Sequence, residues 1–518
     1  MPSDAFPARI ARIPFYRRGT FWTVSLVAVS LLLGGLFAGL DHHGRRHAAA
    51  IEARLKAAGY RQELAALRSA NVPEAENFAA TQFLSRLTRG SGFSRTPMEE
   101  LAELARSNLI PDPGMPSPVP WDAVERQFEQ HSLKYKKKLL AARAIDASQT
   151  LPWTRRFAQQ LESDFGAPLV ELEQRLALPQ ATMPGTEIVA GEFFPYWVNW
   201  SPRSDWGHVV YLRGWLALAV GDDKLAVRTT QIMWRLAEAS DGSPGSQHGI
   251  TSEPLDYPRC AALLTWMAAG ERRWQDDDWR RIQAAGAACD PLRLARALLV
   301  VRLASIEAEE AVALEAPDTR VYYLPYSLRL RASHGITPTG ELVAHLLPGG
   351  WVRATLATAR ESAWNDLNSF DRDGVKWALS PVPTAPPGWA GLTRYETGVG
   401  VAGRPHPLQI REILMSAQAL IAMSRTAAAL ERHWLQHASY PVSLDALQPD
   451  FLDRIPLDLD GKPLRYRQDS GNGRYQLWSV GINGLDEGGR SVTAASAGKR
   501  RRGVWPWSHD PDWVWSYP

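Results

Sequence analysis

Residues 258–312 read PRCAALLTWMAAGERRWQDDDWRRIQAAGAACDPLRLARALLVVRLASIEAEEAV, and the fold class turns on this stretch. Apolar residues recur at helical spacing in three runs, separated by the polar break at Gln275–Asp278 and by Asp290-Pro291. Asp276 is the expected cap of the second run, with Asp277 and Asp278 in its first turn, and Asp290 followed by Pro291 opens the third. The same periodicity recurs in TRRFAQQLESDFGAPLVELEQRLAL (154–178), YLRGWLALAVG (211–221) and KLAVRTTQIMWRLAEAS (224–240), while strict alternation is scarce before residue 440. The expected fold class is therefore mainly α, with a large ectodomain of helical hairpins over 41–370 and no fixed-period repeat.

Towards the N-terminus, Gly19–Leu40 reads GTFWTVSLVAVSLLLGGLFAGL, 22 residues without a charge. At ~1.5 Å per residue this is a helix of about 33 Å, sufficient for a hydrocarbon core of about 30 Å. The run is longer than the h-region of a cleaved leader, and no small-x-small site follows it, so an anchoring transmembrane helix is expected over 19–40. Phe21 and Trp22 suit the interfacial belt. Basic residues flank both ends. The short tail, 1–18, is expected in the cytoplasm and the remainder outside, in the periplasm of a bacterial inner membrane, as a single-pass protein. A stalk helix is expected over 48–70.

Composition narrows the function classes. The chain has 58 Lys and Arg against 55 Asp and Glu, a net charge of +3, which leaves no basic footprint for nucleic acid. Two cysteines rule out a disulfide-dense scaffold or a four-Cys zinc module. Cys260 and Cys289 would meet at one end of an antiparallel hairpin, so a disulfide and a pair of buried thiols are both open readings.

A Pro/Gly-rich stretch at 371–407 reads as an interdomain linker. Beyond it, Leu408–Gln436 has strongly helical spacing with one apolar face. PLRYRQD and RYQLWSVGI then alternate as strands around an SGNG turn. The order amphipathic helix, YPVSLDAL (440–447), DFLDRIPLDLDGKPLRY (450–466) and RYQLWSVGINGLDEGG (474–489) resembles the globular module of the type II secretion major pseudopilin. That resemblance covers 408–490. It implies a long helix packed by a small antiparallel sheet and a calcium-binding loop; envelope or secretion proteins are the candidate partners. The segments NVPEAENFAATQFL (71–84), GERRWQDDDWRRIQAA (270–285) and DPLRLARALLVVRLASIEAE (290–309) resemble a group of uncharacterised bacterial single-span membrane proteins with helical ectodomains. That second resemblance brings no activity with it.

Several candidate sites follow from residue chemistry. Asp486, Glu487 and Asn483 offer oxygens in a glycine-rich loop, with Asp458 or Asp460 able to fold back, so calcium is the one candidate cofactor. The alternative for the loop is a solvated turn. His433 and His437, like His43 and His47, have the i, i+4 spacing of a metal-binding helix but no HExxH context, and read best as helix-end or interfacial histidines. Gly398, Gly400 and Gly403 spell GxGxxG without a preceding strand, which argues against a dinucleotide site. Tyr196, Trp197, Trp200, Trp206, Tyr211 and Trp215, near Glu192 and Asp205, read as helix packing or as a sugar-binding surface. Glu253, Asp256, Asp276 and Asp278 are carboxylates of undetermined separation. The tail 491–518 holds Lys499–Arg502, Trp505, Trp507, Trp513 and Trp515, and reads either as a membrane- or partner-seeking segment or as a strand docked on the body. Two functions emerge: an interaction or scaffolding protein of the envelope, and a membrane-tethered enzyme acting on envelope glycans.

Overall fold

The computed structural model describes residues 15–62, 72–89, 98, 102, 153–183, 201–241, 253–290, 293, 303, 306, 310, 314, 348–369, 407–469, 473–481, 483–490 and 512–516. The GxGxxG glycines, nearly all of the 371–407 stretch, Glu192, Tyr196, Trp197, Trp200, Lys499–Arg502, Trp505 and Trp507 lie outside them. The described chain is mainly helical with one small antiparallel sheet. It divides into two compact units.

The first unit gathers residues 1–59, 309–361 and 386–400. Its main element is α1, Phe15–Ala57, one continuous 43-residue helix that joins the expected span to the start of the expected stalk. It ends where Gly59 takes a positive φ of 79°, which interrupts the expected 48–70 stalk run; residues 60–62 are helical again and 63–70 lie outside the described residues. Val24, Leu26, Leu31, Leu32 and Leu36 stand 50% or more exposed on α1, and among the described residues this is the one helix long and apolar enough to cross a membrane. The N-terminal part of a second helix, α8 (Gly349–Ser369), runs parallel to the charged half of α1. Asp41 accepts from the Gly350 N–H at 2.6 Å, Arg360 bonds Glu52 at 2.9 Å and Glu310 at 2.5 Å, and Arg54 bonds Glu361 at 2.8 Å. Gly350 is obligatory because a Cβ there would strike the Asp41 backbone.

The second unit holds α2 (Gln82–Arg89), α3 (Trp153–Gln174), α4 (Ser201–Val220), α5 (Asp223–Asp241), α6 (Glu253–Glu271), α7 (Asp276–Ala288) and α9 (Pro407–His437), followed by β1 (Arg465–Asp469), β2 (Arg474–Ser479) and β3 (Trp513–Ser516). Helices α5, α6, α9 and α7 close a ring in which each packs on two neighbours, with α4 laid on α5 and α6, and α3 on α4. The sequence-adjacent pair α6 and α7 is diagonal in this ring. Neither packs along the other, and the hairpin expected of residues 258–289 is replaced by contacts to α5 and α9. Helices from before and after the Pro/Gly-rich stretch thus share one hydrophobic core, which continues into Tyr475, Leu477 and Trp515 of the sheet.

Position in the ring explains the burial of α9. Its expected single apolar face is instead burial on nearly every side from Leu414 to Arg432, because α6, α7 and the sheet surround it. At the start of α7 the cap is Gln275 rather than Asp276: Asp278 accepts from the Gln275 N–H at 3.1 Å, closing a capping box. Asp276, released from capping, bonds Arg280 at 2.5 Å and reaches Arg432 on α9 at 2.8 Å.

The sheet order is β1-β2-β3, all antiparallel. Asp469 pairs with Arg474 beside the expected SGNG turn, where Gly473 has φ 59°. On the other side of β2, Leu477 pairs with Trp515 and Ser479 with Trp513. The terminal tail therefore includes a docked strand, with both tryptophans nearly fully buried. Each contributes about 1.5–3 kcal/mol by burial. Together with Trp266, Leu263, Leu420 and Met423 they line an apolar crevice.

Candidate functional site

The loops that bracket the sheet hold a charged cluster organised by Arg465. Its Nη1 donates to Asp458 Oδ2 at 2.9 Å and Asp460 Oδ1 at 3.0 Å, its Nη2 to Asp460 Oδ2 at 2.5 Å, and its Nε lies 3.4 Å from Asp486 Oδ2. Asp458 is fully buried and also accepts from Ser479 Oγ at 2.5 Å, the Leu459 N–H at 2.8 Å and the Val480 N–H at 2.9 Å. Burial pushes its carboxyl above the usual range, against these donors and Arg465. Asp460 is held below the usual range chiefly by the Arg465 hydrogen bond, and Asp486 chiefly by the Trp478 indole N–H, which donates to it at 3.0 Å.

These bonds decide how the expected calcium ligands are used. Asp486 Oδ1 is taken by Trp478 and by the Gly488 N–H at 3.0 Å. Asn483 presents its Oδ1 to the Leu485 N–H at 2.9 Å and its Nδ2 to Glu487 Oε1 at 2.9 Å, so its oxygen serves the turn. Asp512, brought in by β3, accepts from the Glu487 N–H at 3.3 Å and the Gly489 N–H at 2.8 Å. The Glu487 Oε2 is buried and lacks a hydrogen-bond partner. Calcium requires six or more converging oxygens. Here the oxygens of Asp458, Asp460 and Asp486 converge on a guanidinium, and Asn483 engages one of the two Glu487 carboxylate oxygens. Among the described residues no group of three or more His, Cys, Asp or Glu is arranged for a metal.

The other candidates separate by place. Trp206, Tyr211 and Trp215 are buried in the helical core; Trp206 packs on Phe83 at 4.5 Å and Phe165 at 5.9 Å between ring centroids. Tyr257 lies where a Cβ at Gly207 would sit and Leu264 where one at Gly214 would, so α4 and α6 run parallel. Asp205, His208 and Asp256, all buried, therefore share one end of that pair. Asp276 and Asp278 begin α7 at the other end of α6, 19 residues or about 28 Å away at ~1.5 Å per residue. Asp256 therefore does not share a site with Asp276 and Asp278.

Both cysteines are free and buried. Cys289 Sγ lies 3.4 Å from the Trp234 carbonyl on α5, and burial among α6 neighbours pushes the Cys260 thiol far up. Of the two open readings this is the pair of buried thiols, and the diagonal placement of α6 and α7 removes the hairpin on which the disulfide reading depended.

Two residues carry more of this unit than their sequence context suggests. Arg465 looked like an ordinary strand residue; the signal was its place between Asp458, Asp460 and Asp486 in the sequence. Glu431, placed after the apolar run Ala427–Leu430 of α9, is fully buried and is pushed up to about 8 by that burial. No protein-family model, curated protein or solved structure matches the chain.

Proposed function

We propose that the chain is a single-pass envelope protein of bacteria, anchored in the inner membrane by residues 19–40 of α1, with a periplasmic helical body that serves as an interaction or scaffolding module, in secretion or a related envelope process. The observation that carries the reading is the contrast within α1: the stretch up to residue 40 is apolar and exposed, whereas Arg54 and Glu52 beyond it are tied into ion pairs. An apolar surface of that length finds its partner in lipid. The non-catalytic part of the reading is supported by the use of buried polar groups for packing, as with Asp458 and its four donors. Alkaline phosphatase fused after residue 60 is expected to be active, and fused at residue 14 inactive. The reverse pattern rejects the orientation, and alkaline carbonate extraction of the chain from membranes rejects the anchor. Crosslinking in intact membranes that yields monomer alone counts against scaffolding.

The alternative reading, an enzyme acting on envelope glycans, is favoured by Asp205, His208 and Asp256 at one end of α4 and α6. Release of soluble fragments from purified cell-wall glycan by the wild-type chain, lost in Asp205→Asn and Asp256→Asn, is the result that would establish it.

A further inference from the structure

The C-terminal turn of α9 presents two imidazoles on one face. His433 and His437 have ring centroids 4.4 Å apart with planes inclined at 43°. Their spacing of four residues puts both on the same side of the helix. His433 Nδ1 lies 2.8 Å from the Ser439 carbonyl, and because a carbonyl only accepts, the ring proton is on Nδ1 and Nε2 keeps its lone pair. Metal-ligating histidines ordinarily carry this outer bond, which fixes tautomer and orientation. Phe451 packs against both rings, at 5.4 Å from His433 and 6.1 Å from His437, and restricts their rotation. The neighbouring cation, Arg432, is already engaged by Asp276 at 2.8 Å and Gln283 at 3.0 Å. His437 is exposed and His433 half-buried, which leaves the face open to solvent.

We propose that His433 and His437 form a two-imidazole site for a borderline divalent transition ion, copper(II) or zinc, whose remaining coordination positions are filled by water. Neutral imidazole suits both ions, and copper(II) binds such nitrogen sites most tightly of the first-row series. The ion would pin the last turn of α9 just before Ala438, whose φ of 54° redirects the chain towards Tyr440.

The test uses the full chain in detergent micelles, in a His43→Gln/His47→Gln background that removes the other pair of the same spacing. Copper(II) titration followed by electron paramagnetic resonance is expected to show one bound ion with hyperfine coupling to two nitrogens. Adding His433→Gln or His437→Gln is expected to weaken binding at least tenfold and leave one nitrogen. Equal binding in the background carrying both substitutions, or a spectrum without nitrogen coupling, overturns the proposal. A second measurement needs no variant in α9: zinc is expected to protect His433 and His437 from diethylpyrocarbonate, read by mass spectrometry. Unprotected modification of both overturns it.

Discussion

Tyr440 donates a 3.0 Å hydrogen bond to the buried Glu431, tying the segment after α9 back to the helix. The Tyr475 hydroxyl on β2 approaches the same Glu431 oxygen at 3.5 Å, and Arg272 at the end of α6 donates to the Gly473 carbonyl at 2.6 Å with its guanidinium 5.7 Å from the Tyr440 ring centroid. One carboxyl therefore joins α9, the following loop and the sheet beside α6.

The sign of its pH dependence follows from burial. The folded-state value, about 8, lies above the ordinary carboxyl range, so the folded protein binds this proton more readily than the unfolded chain. Its contribution is fully present below about pH 4.5 and is lost as pH rises to about 8, on the order of a few kcal/mol. Glu431→Gln is expected to flatten that slope in urea unfolding monitored from pH 5 to 9. An unchanged slope would assign the pH dependence elsewhere.

Arg465→Leu leaves Asp458 buried without its cation, and breaking such a pair costs about 3–5 kcal/mol. Wild-type melting is expected to be the same in chelator and in millimolar calcium, since the guanidinium already occupies the point on which the carboxylates converge. A calcium-dependent rise in wild-type Tm would contradict this account.

Arg213 on α4 is buried between Glu162, at 2.5 Å, and Glu173, at 2.6 Å, both on α3. Arg213→Met is expected to destabilise the chain by about 2–4 kcal/mol, reduced from the roughly 3–5 kcal/mol of a fully buried pair because Glu162 is more than a third exposed. A double-mutant cycle with Glu173→Gln, read by chemical denaturation, is expected to give a coupling above about 0.5 kcal/mol.

Trp515→Ala removes a nearly fully buried indole that seals β2 against the helices, at a cost of about 3–5 kcal/mol. Limited proteolysis is expected to release the 512–518 end from this variant well before it is cut in the wild type. Equal resistance of the two would show that the strand is held by its backbone ladder alone.

Where the local pattern was strong, the sequence was sufficient. Leu408–Gln436 became Pro407–His437, and PLRYRQD and RYQLWSVGI became β1 and β2, because periodicity and turn chemistry act over a few residues. Alternation of Trp513 and Trp515 likewise left docking as one of two readings, and the strand pairing selects it. Partner choice was not legible. Nothing in the spacing of 258–289 says that α6 and α7 lie diagonally, because a helix that completes the ring comes from residue 407 onward. The candidate site was obscured for the same reason: Arg465 is one residue in a strand until the loops at 458–460 and 483–490 fold onto it.

The ring of α5, α6, α7 and α9 also sets a timetable for biogenesis. Its fourth member is synthesised roughly 120 residues after α7, and at about 5–20 residues per second the first three helices wait about 6–24 s with their inner faces uncovered. A nascent chain in that state is a client for holding factors, and release of its C-terminal quarter, rather than emergence of the helical body, is the event that lets the core close.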